Sequence, residues 1–110
     1  MSAQSPNPHR GEAAIPIGGT PRLLRPSFAA LVAAEEELGP LFALVERAGT
    51  GQLRLAEMTG LFWHCLACPG DLTRDQLGEG IAALGLAEAS KPLRVLLGQI
   101  LQGQAEPAEQ

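Results

Sequence analysis

The densest concentration of reactive side chains in this sequence is Trp63-His64-Cys65-Leu66-Ala67-Cys68. A C-x-x-C pair binds zinc, exchanges disulfides or anchors haem, and each use has its own geometric demand. A structural zinc ion needs four ligands. Read on a helix, His64 and Cys68 are neighbours at i, i+4, while Cys65 turns about 100° away into the apolar face. The remaining candidates, His9, Glu57 and Asp71, are remote, and there is no second C-x-x-C. Haem attachment wants a histidine where Pro69 stands. Thioredoxin-type chemistry wants its cysteine at a helix N-terminus, where the dipole lowers the thiol pKa, and this pair falls at a C-terminal end. Cys65 therefore reads as a small core residue and Cys68 as a boundary residue, both reduced in a cytosol.

Other catalytic constellations are missing. Ser2, Ser5, Ser27 and Ser90 have no fixed histidine beside them, and His9 sits in a polar end segment. The Gly18-Gly19 pair joins two strands rather than a strand to a helix, and no G-x-x-x-x-G-K-[ST] occurs. With three phenylalanines, one tryptophan and no tyrosine, the chain is also poor in the aromatic walls of small-molecule sites. No catalytic residue, cofactor or metal is expected. Net charge is −4 and the basic residues are scattered from Arg10 to Arg94, so there is no cationic stripe for nucleic acid. No apolar run reaches the ~18 residues of a membrane span, and Met1 to Arg10 is too polar for a secretory signal. The cytoplasm is the expected compartment.

The elements that would position any site form a mainly α, α+β pattern in one domain over residues 11–103, between polar, proline-containing arms at 1–10 and 104–110. Glu12 to Ile17 alternates, Gly18-Gly19 supplies a two-residue turn, and Thr20 to Arg25 returns, predicting an antiparallel hairpin. Pro16 and Pro21 must then face their missing N–H groups away from the partner strand. About five short helices follow. Ser27 caps the first, with Phe28, Leu31, Val32 and Leu38 as its apolar stripe and Gly39-Pro40 as its stop. Glu35 lies on that stripe; it either bonds Arg25 or Arg22 or reaches water, while Glu36 and Glu37 turn outward. The second helix spans Pro40 to Ala48, with Pro40 at its first position. The third spans roughly Leu55 to Ala67, burying Leu55, Met58, Phe62, Cys65 and Leu66. Thr73-Arg74-Asp75-Gln76 is a capping box for a fourth helix carrying Leu77, Ile81 and Leu84, which Gly85 stops. The fifth begins near Ser90, with Pro92 in its first turn, and buries Leu93, Leu96, Leu97, Ile100 and Leu101. Leu41, Phe42 and Trp63 are candidates for a partner surface, since core periodicity does not claim the last two.

The phrase Asn7-Pro8-His9-Arg10-Gly11-Glu12, the hairpin, and the helix entered through Ser27-Phe28-Ala29-Ala30-Leu31 resemble the gene transfer agent tail proteins grouped with phage tail assembly chaperones. Asn7, His9, Arg10, Gly11, Glu12, Ser27, Ala30, Leu31, Glu35 and Gly39 occupy the signature places, Phe28 and Leu38 fit them too, and Gly51-Gln52-Leu53 matches the entry to the third helix. The likeness covers about residues 7–103 and departs at Arg54, where a small polar N-cap is usual; Trp63 to Cys68 is not part of the pattern. The resemblance implies a non-enzymatic role in building a prophage-derived tail, as a chaperone whose partners are the tape-measure protein and tail-tube subunits. The alternatives are a structural tail or tube-associated component, against which the small amount of strand weighs, and an unrelated helical adaptor. On self-association the sequence is silent.

Overall fold

Two consecutive glycines determine how the chain begins to fold. Gly18 and Gly19 take φ values of 60° and 82°, the left-handed pair that a type I′ hairpin turn demands. The turn joins β1 (Ala13–Ile17) to β2 (Thr20–Leu24), antiparallel, with Ile17 opposite Thr20 and Ala13 opposite Leu24. Counting back from the turn, Pro16 and Pro21 face each other at a non-hydrogen-bonded pair, so both ring nitrogens point out of the ladder. This computed structural model describes residues 12–102. The expected arms, and the signature residues Asn7, His9, Arg10 and Gly11, lie outside the described residues.

Five helices follow: α1 (Phe28–Leu38), α2 (Leu41–Gly49), α3 (Leu55–Cys65), α4 (Arg74–Leu84) and α5 (Leu86–Gln102). The mainly helical α+β architecture and the leading hairpin are as the sequence implies. Ala13, Ile15 and Ile17 project from one face of β1 into a core completed by Leu24, Ala34, Leu61, Phe62, Leu77, Ile81 and Leu96. Helices α4 and α5 pack on β1, α1 on α3, and α3 on α4. Gly80 lets α4 lie close against β1: a β-carbon there would lie 2.6 Å from Ile17 Cγ2.

Capping follows the sequence chemistry at both ends of α1 and of α4. Ser27 Oγ accepts from the Ala30 N–H at 3.1 Å. Thr73 Oγ1 accepts from the Gln76 N–H at 3.1 Å while the Gln76 side chain accepts from the Thr73 N–H at 2.9 Å, closing the capping box. Gly39 and Gly85, with φ near 98° and 99°, terminate α1 and α4. Arg54 is the N-cap residue of α3, and Glu57 supplies the capping bond from within, accepting the Arg54 N–H at 3.0 Å.

Several expectations are corrected. On α1 the buried line is Ala34 with Ala30, Leu31 and Leu38, not the stripe through Phe28 and Val32, which stay exposed. Pro40 is the N-cap of α2 rather than its first helical residue. Helix α3 stops at Cys65 because Leu66 turns extended and bridges Leu24: Arg25 N–H donates to the Cys65 carbonyl at 2.6 Å, and Ala67 N–H to the Leu23 carbonyl at 3.0 Å. Leu55 at the other end is 42% exposed. Helix α5 starts at Leu86, directly after Gly85, since the Ala89 N–H already bonds the Gly85 carbonyl at 3.0 Å. Pro92 is therefore inside the helix, where its ring is buried and its lost N–H leaves one rung open. Leu101, assigned to the core, is 51% exposed.

Candidate interaction surface and its ion-pair junction

The end of α3 undoes the geometry that made the C-x-x-C segment look like a ligand set. Because the chain leaves the helix after Cys65, His64 and Cys68 are not stacked one turn apart. Cys65 is buried in the core, and burial pushes its thiol up to about 12, which keeps it protonated and unreactive near neutrality. Cys68 is exposed. Among the described residues, no group of three or more His, Cys, Asp or Glu side chains is placed to hold a metal ion.

His64 instead joins a junction that ties three helices together. Its Nε2 lies 2.7 Å from Glu37 Oε1, and the Arg74 guanidinium grips the same carboxylate through Nη1 at 3.0 Å and Nη2 at 2.5 Å. Glu37 comes from α1, His64 from α3 and Arg74 from the first turn of α4. Hydrogen bonding to Arg74, then to His64, lowers the Glu37 pKa to about 2, and the same pairing raises that of Arg74. Gly60 makes room beneath: a β-carbon there would meet Arg74 Nη2 at 2.7 Å and a Leu38 methyl at 3.1 Å. A second carboxylate, Glu57, accepts from the Arg54 N–H and from Arg47 Nη2 at 2.5 Å, fastening α2 to the start of α3. The Arg54 backbone bond is the larger cause of its lowered pKa, with Arg47 adding to it.

The signature residues within the described range are structural in what they touch. Glu12 is buried, and Arg25 Nε donates to its Oε2 at 2.8 Å, fixing the end of the hairpin where the chain turns into α1. Glu35 bonds neither Arg25 nor Arg22. It is exposed, and its Oε2 accepts from the Leu41 N–H at 3.1 Å, an orphan donor at the positive end of α2. Arg22 instead overhangs a groove of about 670 Å³ between the hairpin tip and α4, lined also by Thr20, Asp71, Gln76 and Glu79. Among the described residues no hydrogen bond links Thr20 to either carboxylate, so the groove holds no assembled nucleophile and base.

Of the three candidate partner residues, Phe42 is 79% exposed and Leu41 is half-buried. Trp63 is half-buried, with part of its surface packed against the core. The sequence reading missed Phe28, which is 85% exposed. The signal for it was present, since the first seven residues of α1 are apolar on every side and only one side can face the core. The Glu37 junction had no comparable signal, as its members are separated by 27 and 37 residues.

These observations describe a small helical body whose polar groups mostly hold its helices together and whose exposed aromatics face outward. Residues 10–103 match the family described as "Phage tail tube protein, GTA-gp10". The chain belongs to that family. It is thus a tail protein of the phage and gene transfer agent type, as the resemblance in its first third implies. Neither a curated protein nor a solved structure matches it. Among the described residues, no helix is long and apolar enough to cross a membrane.

Proposed function

We propose that this tail protein acts as a non-enzymatic assembly chaperone, holding the tape-measure protein and tail-tube subunits in the bacterial cytoplasm until the tail is built. The observation that carries the reading is the state of the sheet edges. A ring assembled by strand pairing between subunits needs long edges with free backbone donors. Among the described residues the sheet has two five-residue strands, each bearing an outward proline, and part of the outer edge of β2 is occupied by the segment after α3. Association through helix faces and exposed aromatics is the alternative that remains, and Phe28 and Phe42 supply it. A second reading, a structural tail or tube-associated component, is favoured by the family description itself, which names a tail tube protein.

Co-expression tests the partner claim. The chain, produced with the tape-measure protein, should keep the latter soluble and co-purify with it; a tape-measure protein that aggregates equally with and without the chain would refute the reading. Gene order adds an independent check, a position between the tail-tube and tape-measure genes being expected.

A further inference from the structure

Helix α1 opens with seven residues, Phe-Ala-Ala-Leu-Val-Ala-Ala, that place no polar side chain on any face. A helix apolar all round is ordinarily buried all round. Among the described residues, only one side of α1 is covered. The opposite side presents Phe28, Ala29 and Val32 to solvent, with Phe28 85% and Val32 37% exposed. One or two turns on, the same side carries Glu35 and Glu36. These carboxylates stand in the last turn of the helix, where the dipole is also negative and a cation is the stabilising neighbour. Glu37 has Arg74 and His64, and Glu35 has the Leu41 N–H. Glu36 has neither an ion pair nor a hydrogen-bonded partner among the described residues.

We propose that this face of α1 docks an amphipathic helix of a partner protein whose apolar side is followed by lysine or arginine. The inference rests on the partner-binding reading above and names the surface and the partner's chemistry. Charge complementarity selects the occupant: the apolar first half of the face takes the partner's hydrophobic residues, and Glu36, the carboxylate of that turn without a partner among the described residues, takes its cation.

The test uses the full isotopically labelled chain and two synthetic helical peptides with one shared Leu/Ala face, flanked by lysines in one and by glutamates in the other. The lysine peptide should shift the amides of residues 28–36 and bind more tightly than the glutamate peptide, with an affinity that falls as salt rises. Phe28→Ser, at a site too exposed to matter for folding, should weaken binding by roughly tenfold or more. Glu36→Lys should abolish the preference for the lysine peptide. Equal affinity for both peptides, shifts confined to other elements, or indifference to Phe28→Ser would overturn the proposal. So would concentration-dependent dimerisation of the chain alone that Phe28→Ser abolishes, which would assign the face to a second copy. The co-expression test reads a different quantity, so failure of the chaperone reading and failure of this surface are distinguishable.

Discussion

Replacing Gly80 by alanine tests the packing of α4 on the hairpin, because the same substitution elsewhere has the opposite sign. Alanine in a helix interior is favoured over glycine by about 1 kcal/mol, since glycine loses more backbone freedom on folding. At Gly98, on α5, a β-carbon meets nothing within 4 Å, so Gly98→Ala should realise most of that gain. At Gly80 the β-carbon would stand 2.6 Å from Ile17 Cγ2 and 3.2 Å from its Cδ1, where ordinary contacts begin at 3.4 Å. Ile17 is only 6% exposed and cannot swing aside, so α4 or the hairpin must move. Overpacking of this kind costs about 1–3 kcal/mol, leaving Gly80→Ala destabilised by about 1 kcal/mol after the helix gain. Urea unfolding followed by circular dichroism measures both variants, and Ile17→Ala supplies the control. In that background the clashing methyl is gone, and Gly80→Ala should become neutral or stabilising, a coupling that a double-mutant cycle reads directly. Gly80→Ala stabilising as much as Gly98→Ala, or a penalty unchanged by Ile17→Ala, would refute the packing argument.

Three further outcomes follow from the site. Glu37→Gln should cost roughly 1 kcal/mol at neutral pH, a modest figure because the junction is partly exposed and screened. The folded-state pKa of Glu37 is depressed to about 2 from 4.5, so its contribution is complete above the unfolded value and is lost as pH falls between them. Unfolding curves of wild type and variant should therefore converge as pH drops from 4.5 towards 2; a constant gap would count against the junction. Glu35→Ala, which removes the acceptor for the Leu41 N–H, should lower stability by roughly 0.5–1 kcal/mol, and equal loss in a Glu36→Ala control would deny the capping role. With iodoacetamide at mildly alkaline pH, Cys68 should be alkylated readily and Cys65 only on unfolding. Equal rates by intact mass and peptide mapping would contradict the burial of Cys65.

What the sequence made legible was whatever a few adjacent residues decide. Gly18-Gly19 between alternating stretches specified the hairpin and its register, and the two prolines specified which way its edges face. Thr73 to Gln76 declared the start of α4, and Gly85 and Gly39 the ends of α4 and α1. Periodicity failed on α1 for a physical reason: with alanine, leucine, valine and phenylalanine on all sides, every face is a possible core face, and long-range packing chose Ala34 over Val32. The end of α3 was also set from a distance, by hydrogen bonds to Leu23 and Arg25 that compete with the last helical turn. Pro92 suits a first turn, so the sequence alone points to a start of α5 near Ser90, and only the tertiary contacts that bury its ring let it sit further in. Of the candidate partner residues, Phe42 is exposed while Leu41 and Trp63 are half-buried, and Phe28, which periodicity reads as core, is more exposed than any of them.

Under the proposed chaperone function, this member of the tail protein family serves assembly and then departs. Quantitative mass spectrometry of purified particles against the lysate that produced them tests it most directly. The chaperone reading predicts abundant protein in the lysate and only trace, substoichiometric amounts in particles that contain tail-tube and tape-measure proteins. A fixed stoichiometric complement retained in every purified particle would contradict it and make the chain a structural component of the tail.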